Sequence, residues 1–342
     1  MKPIPDIDWK SLTFGYSPTD YNVRTSFVDG KWGDVEVHDS EFVNIHMSAT
    51  CLQYGQEVFE GQKAFRCKDG KIRLFRIDQN AKRFYDSAKG LMMEPVPVEM
   101  FVEMAKQVVK LNGRFVPPYG TGGSLYLRPL EIGMTPRVGV SAATDYQFIM
   151  FTCPAGAYFK DGFVSTKVAI YREYDRAAPF GTGRWKTGGN YAGSLRAIDR
   201  AKKAGYSAAL FIDPKEKKYL DECGLANFFA IKGDKYITPA STSILPSITN
   251  MSLQQIAADM GLTVEKRPIL VEELAEFDEA AECGTAAACI PISEVYDGDK
   301  NETYIIAPDG QPGPVVTELY HRLQAIQMGD APDPYGWTTV VE

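Results

Sequence analysis

The sequence predicts an α+β protein of two domains, and three observations carry that expectation. The chain has 342 residues, about twice the ~150 that one domain commonly uses. Strand-like and helix-like segments both occur but do not alternate strictly, which disfavours a doubly wound parallel sheet. A breaker-rich stretch, Cys153-Pro-Ala-Gly-Ala-Tyr-Phe-Lys-Asp-Gly162, lies near the middle of the chain. It is read as part of a connection at 154–165 between a smaller N-terminal domain, 1–153, and a larger C-terminal one, 166–342.

In the first half, residues 71–76 (Lys-Ile-Arg-Leu-Phe-Arg) alternate as a short strand does. Asp78 then reads as a helix N-cap, with Ala81, Phe84, Ala88 and Leu91 at helical spacing. A second helix is expected at 99–111, where Phe101, Met104, Ala105, Val108 and Val109 form an apolar face and Gly113 stops the run. Residues 145–152 read as a buried strand. In the second half, strands are expected at 163–171, at 207–213 and, as a paired set, within 217–238, with turns at Cys223-Gly224 and Gly233-Asp234. Helices are expected at 191–203, closed by Gly205, at 252–260 and, as an acidic helix, at 271–280. An apolar strand is expected at 286–292.

Composition narrows function. The net charge of −7 and the absence of a basic block disfavour nucleic acid and anionic membranes as partners, which leaves small molecules. The six cysteines are scattered with no C-x-x-C, so neither a disulfide framework nor a zinc ribbon is expected. No run reaches the ~20 apolar residues of a membrane helix, and the start, Met-Lys-Pro-Ile-Pro-Asp, lacks a signal-peptide core. A cytoplasmic protein with reduced thiols is the expectation. The glycine-rich stretch 181–189 fits neither G-x-x-x-x-G-K-[ST] nor G-x-G-x-x-G, and there is no G-x-S-x-G elbow. The histidines His38, His46 and His321 form no i, i+4 pair, so no metal is expected. The basic cluster Arg196, Arg200, Lys202 and Lys203 reads as a solvated helix face. Chemistry is left to an organic cofactor or to Lys, Tyr and acids.

Lys186 lies in Arg-Trp-Lys-Thr-Gly-Gly-Asn-Tyr. A lysine among glycines beside Trp185 is open to desolvation, which lowers the pKa and favours the neutral amine that Schiff-base chemistry needs. Taken by itself, such a lysine is more often a surface charge. The segment Lys186-Thr-Gly-Gly-Asn-Tyr191, however, closely resembles the K-x-G-G-N-Y signature of the branched-chain amino acid aminotransferases. These are pyridoxal-phosphate enzymes of fold type IV, like D-amino acid aminotransferase. The resemblance runs from about Phe14-Gly15 to Glu282-Cys-Gly-Thr285, with several motifs in the family's order.

The resemblance implies a two-domain fold-type IV enzyme with its cofactor, pyridoxal 5′-phosphate, at the domain interface and mostly held by the C-terminal domain. It makes Lys186 the internal-aldimine lysine and the general base and acid. In Glu222-Cys-Gly-Leu-Ala-Asn227, Glu222 inherits the partnership with the pyridinium nitrogen, which must stay protonated for the ring to act as an electron sink. Leu225 stands where the family usually has Thr. Ile244-Leu-Pro-Ser-Ile-Thr249 resembles the family's phosphate loop, with Ser247 for Gly, so Ile248 and Thr249 would supply amides to the phosphate. Arg83 resembles its phosphate arginine, Tyr191 would bond the ring's phenolic oxygen, and Thr285 and Ala286 resemble the turn that touches phosphate and substrate carboxylate.

On the substrate side, one pocket must take an alkyl side chain and glutamate's carboxylate, which calls for an apolar lining with one cation at its edge. The family's Y-x-R strand appears as Tyr126-Leu-Arg128. Tyr54, Phe59 and Gly61 match its H-Y-x-x-x-x-F-E-G segment, with Gln53 where His is common. Phe14 and Tyr158 match two further aromatic walls. Val138-Gly-Val140 resembles a loop that reaches a partner's pocket, which implies a homodimer. Ala286-Ala-Ala-Cys289 lacks the C-x-x-C of some relatives, so no thiol switch is expected there. The implied activity is reversible transamination of leucine, isoleucine and valine with 2-oxoglutarate. D-amino acid aminotransferase and aminodeoxychorismate lyase share the lysine and the glutamate, and Tyr126-x-Arg128 favours the branched-chain type. A non-catalytic pyridoxal-phosphate protein would not need that substrate constellation.

Overall fold

The computed structural model describes residues 6–158 and 163–341. Residues 159–162, within the expected connection, and the start Met1 to Pro5 lie outside the described residues. The chain forms two compact units. The first comprises Met1–Tyr158 together with two later stretches, Trp185–Gly188 and Ala325–Glu342, and the second comprises Phe159–Arg184 and Gly189–Gln324.

The first unit is built on one mixed-length antiparallel sheet. Its strands are β1 (Asn22–Val28), β2 (Lys31–Trp32) and β3 (Glu36–His38), then, after the short helix α1 (Thr50–Tyr54), β4 (Glu57–Phe59), β5 (Gln62–Arg66) and β6 (Ile72–Phe75). Helices α2 (Ile77–Gly90) and α3 (Val98–Leu111) follow, then the long strands β7 (Ser124–Gly133) and β8 (Tyr146–Ala155). Strand order is β18-β6-β5-β7-β8-β1-β2, with β3 on β1, β4 on β7, and β18 (Thr338–Val341) supplied by the chain's far end. Alternation along β7 decides what each face does. Leu125 and Leu127 point into the core under α2 and α3, where Phe84, Phe101 and Phe148 meet with centroids 5.2–5.7 Å apart. Tyr126 and Arg128 occupy the opposite face.

The second unit contains β9 (Thr166–Ile170), α4 (Gly188–Lys203), β10 (Ala208–Ile212), β11 (Leu220–Cys223), β12 (Asn227–Lys232), β13 (Lys235–Pro239), α5 (Ile248–Asp259) and β14 (Thr263–Arg267). It continues with β15 (Glu279–Gly284), β16 (Ala288–Asp297), β17 (Glu302–Ile305) and most of α6 (Pro314–Met328). Strands run β11-β10-β9-β16-β15-β12-β13-β14, and β11 also pairs β12 through Glu222 and Asn227, which closes the first part into a barrel. Val168, Ile170, Leu210, Ile212, Phe228, Ile292 and Val295 fill it. Outside, α4 lays Ala197 and Ala201 on Ala169, Ala209 and Phe211.

Several expected elements end elsewhere. Asp78 is not an N-cap: the helix starts at Ile77 after Arg76 in the left-handed region (φ 49°), and Asp78 sits in the first turn paired with Lys82 at 3.2 Å. The helix expected from Ser252 starts at Ile248, because Ser247 Oγ accepts the Asn250 amide at 3.2 Å and caps one turn earlier. The acidic helix at 271–280 is absent. Val271 and Leu274 are buried at the three-residue spacing of a 3-10 turn over Val271–Glu276. From Glu279 the backbone is taken by ladders to both β12 and β16, so it forms a central strand. The helix expected at 191–203 begins at Gly188, and the strand expected at 163–171 covers only Thr166–Ile170.

Central position leaves the Glu282 carboxyl buried. Glu282, beside Cys223, is pushed from the ordinary 4.5 to about 7 by burial, against the opposing pull of the Cys223 hydrogen bond. Between these two values only the unfolded chain ionises here, so the Glu282 contribution to stability is full below pH 4.5, falls as pH rises toward 7, and then levels. Glu282→Gln should therefore gain on the wild type, by on the order of 3 kcal/mol, between about pH 5 and about pH 8. Urea unfolding at both pH values checks this, and parallel curves for the two proteins would disprove it.

Candidate active site

In the first unit, Lys186 is fixed by the edges of two elements. The Phe59 amide, at the end of β4, donates to the Lys186 carbonyl at 3.0 Å. The Lys186 amide donates to Ser87 Oγ on α2 at 3.1 Å, and Ser87 in turn donates to the Arg83 carbonyl at 2.8 Å. Behind them, Trp185 packs on Gly90, where an added Cβ would lie 2.5 Å from the indole Cδ2. The Lys186 Nζ stands 4.8 Å from the centroid of the Phe59 ring. The Arg128 guanidinium stands at the same distance from that ring and 5.3 Å from the Tyr126 ring, donating to Tyr126 Oη at 3.1 Å. One aromatic ring thus brings the lysine and the arginine together.

Around this pair, Tyr126 meets Phe14 edge-on at 4.9 Å, and a cavity of about 210 Å³ opens beside Phe14, Tyr126, Arg128, Phe151 and Cys153. The Tyr126 hydroxyl lies against Gly61, where any side chain would collide with it. Arg128 Nε is buried without a hydrogen-bond partner among the described residues. That is the state of a cation suited to a carboxylate ligand. Tyr54 is exposed and donates its hydroxyl to the Val138 carbonyl, and Tyr158 is also exposed. Val138 and Val140 are 87% and 86% exposed.

Arg83 points at Glu60, which is fully buried, with bonds of 2.6 and 2.9 Å. Asn80 donates to the same carboxylate at 2.8 Å. Burial pushes the Glu60 carboxyl up, but the Arg83 charge and hydrogen bonds, the Lys186 charge and Asn80 outweigh it and hold it below the usual range. Glu60 is thereby kept ionised close to the lysine.

In the second unit, Glu222 is buried at the end of β11. Its Oε1 takes Arg176 at 2.9 Å and the Leu245 amide at 2.9 Å, and its Oε2 takes Asn227 at 2.7 Å. Burial raises its proton affinity, and Arg176, Leu245 and Asn227 oppose that. Arg176 also donates to the carbonyls of Gly183, at 2.6 Å, and Ser243. Neighbouring Asp221 points the other way and accepts from Ser243 Oγ at 2.6 Å. Ile248 and Thr249 are the first two residues of α5, whose opening amides have no partner within the helix. Asn250, in that turn, ties Asn227, Thr238 and Tyr236 together. Tyr191 lies in the first turn of α4. Thr285 and Ala286 form the tip between β15 and β16, closed by Ala288 in the left-handed region (φ 60°). The Leu225 side chain is 71% exposed.

Four of these residues are not singled out by the sequence: Ser87, Glu60, Arg176 and Asn250. Glu60 is written in Phe-Glu-Gly and Arg176 precedes the glycine stretch, but their pairings span 23 and 46 positions, and no local periodicity marks such contacts.

The chain matches the family model "Amino-transferase class IV" over residues 57–295. It is 43% identical to the branched-chain-amino-acid aminotransferase of Haemophilus influenzae, covering 99% of this chain and 100% of that one. It is 41% identical to that of Helicobacter pylori, covering 98% of each. Among solved structures, a T.th. branched-chain amino acid aminotransferase with pyridoxamine 5′-phosphate superposes with a TM-score of 0.80 at 27% identity, covering 95% of this chain and all of that one. The Escherichia coli enzyme gives 0.78 at 26%, with the same coverage. The fold is that of the fold-type IV aminotransferases. The chain belongs to the class IV aminotransferases and, within them, to the branched-chain-amino-acid aminotransferase family.

Removing Arg176 would strand the Glu222 charge. Arg176→Met should destabilise the cofactor-free protein by about 3–5 kcal/mol, read from urea unfolding. A loss no larger than that of an exposed pair would refute this account of the Glu222 pocket.

Proposed function

We propose that this enzyme moves the amino group of leucine, isoleucine or valine to 2-oxoglutarate, giving the branched-chain 2-oxo acid and glutamate, with pyridoxal 5′-phosphate held by Lys186. The convergence of Lys186 and Arg128 on the Phe59 ring is the observation that carries the reading. Amino-acid and 2-oxo-acid substrates follow from the family.

The residues present fit the cofactor. Glu222 is a buried carboxylate suited to a protonated pyridine nitrogen, and the opening amides of α5 suit a phosphate dianion. When bound, the cofactor supplies an electron sink for the pair left at the substrate Cα. Glu222 keeps the proton on the ring nitrogen, and Arg176 keeps Glu222 ionised. Ile248 and Thr249 bind the phosphate through N–H groups, Arg83 and Thr285 add to that hold, and Tyr191 bonds the phenolic oxygen. Lys186 Nζ takes the proton from the substrate Cα and returns it on the way to the product, as general base and then acid. Thr285 and Ala286 bind the substrate's α-carboxylate. Phe14, Tyr54, Phe59, Gly61, Tyr126 and Tyr158 wall an apolar space for an alkyl chain, and Arg128 at its edge receives glutamate's side-chain carboxylate.

Assembly and location complete the reading. The exposed Val138 and Val140 support a homodimer in which this loop meets the partner. Six free cysteines support a reducing cytoplasm, and no helix among the described residues is long and apolar enough to cross a membrane.

Lys186→Ala should fold normally and lose both leucine turnover and the visible absorbance of the loaded protein. Bleaching of that absorbance on adding leucine, seen only with Lys186 intact, is the direct measurement, and retained turnover in the variant would overturn the assignment. Arg128→Ala should slow the glutamate half-reaction by about tenfold or more while sparing the leucine half-reaction. Equal losses would show that Arg128 does not hold the side-chain carboxylate.

A further inference from the structure

Glu57, at the head of β4 and two residues before Phe59, takes no part in the chemistry above. Its side chain is half-buried, and burial pushes its carboxyl up, opposed by the Gly188 amide, Thr187 and the Arg128 charge. Keeping a carboxylate away from water is costly unless donors replace the water. The donors here come from the two residues that follow Lys186. Glu57 Oε1 accepts the Thr187 hydroxyl at 3.2 Å and also accepts the Gly188 amide. Glycine is required for that approach, since a Cβ at position 188 would lie 2.6 Å from the same oxygen. Together with the Phe59 bond to the Lys186 carbonyl and the Ser87 bond to its amide, Glu57 completes a set of contacts on three consecutive residues.

We propose that Glu57 is a positioning residue, whose carboxylate ties the Thr187–Gly188 backbone to β4 and so fixes the direction in which Lys186 leaves the chain toward the Phe59 ring. The proposal rests on Lys186 as the catalytic lysine. A proton-transfer group works only within hydrogen-bond reach of its target. A displacement of about 1 Å can cost up to 10²-fold in rate. Phe59 and Ser87 hold only the Lys186 peptide unit itself. The Thr187 amide bonds within its own turn, to the Trp185 carbonyl at 3.1 Å, so among these contacts Glu57 is the one that joins the C-terminal side of the lysine to β4.

The test compares Glu57→Ala, Glu57→Gln and Glu57→Asp in the cofactor-loaded enzyme, with Lys186→Ala as reference. Amide hydrogen exchange of the segment 185–189 by mass spectrometry reports the tether directly. Single-turnover rate with L-leucine reports its consequence. In Glu57→Ala, exchange should accelerate about tenfold or more and the single-turnover rate should fall about tenfold to a hundredfold, with KM for leucine unchanged. Glu57→Gln keeps an acceptor oxygen at the right reach and should recover most of both, whereas Glu57→Asp is too short and should resemble Ala. If Glu57→Ala does not fold, the order of Gln above Asp in both readouts carries the test. Unchanged exchange, faster exchange with an unchanged single-turnover rate, or Asp matching the wild type while Gln fails would overturn the proposal. Leucine turnover by Lys186→Ala would overturn the lysine assignment instead, whatever the Glu57 variants do.

Discussion

The hydrogen bond from the Phe59 amide to the Lys186 carbonyl is the constraint on which the first unit's site is built. It joins the lysine segment to the end of β4, and β4 is itself paired along β7, the strand that carries Tyr126 and Arg128. One sheet therefore sets the lysine, the aromatic ring beneath it and the arginine in a common frame. A lysine on a loop alone would lose side-chain and backbone entropy each time it met its target. Here most of that ordering is met by the fold.

A second constraint is electrical. Each unit buries a carboxylate against an arginine: Glu60 with Arg83, and Glu222 with Arg176. Such pairs add little net stability, because desolvation offsets their attraction. Their value is a fixed charge at a fixed place. The two differ in balance. Arginine and asparagine donors win at Glu60 and lower its proton affinity, whereas burial wins at Glu222 and raises it.

Much of the first unit is legible because its helices are amphipathic. Phe101, Met104, Ala105, Val108 and Val109 recur at a helical period, and all five are buried on α3. The run 271–280 misleads because its acidic residues suggest a solvated helix, while the deciding fact is nonlocal: two neighbouring strands claim the backbone from Glu279. The start of α5 is hard to place because a serine cap at position 247 competes with the serine at 252, and it is the first that accepts an amide three residues on. Of the site, the motif around Lys186 points to the lysine and, through family resemblance, to its companions. The groups that hold those companions are not legible. Ser87 lies 99 positions from Lys186 and Glu57 lies 131 from Gly188, and nothing in either local sequence announces the contact.

That division has a physical reason. Residues that touch a ligand are restricted in chemical type by the ligand, so they form motifs. Residues that hold them need only offer an acceptor or a donor at the right place, and many side chains from many directions can do so. The glycine at 188 shows where the two meet. Within the motif it reads as a small residue before a helix. In the fold its missing side chain is what lets a carboxylate from a distant strand reach the backbone next to the lysine. A motif glycine of this kind records an approach by something outside the motif, and the identity of that something is decided by the strand opposite it.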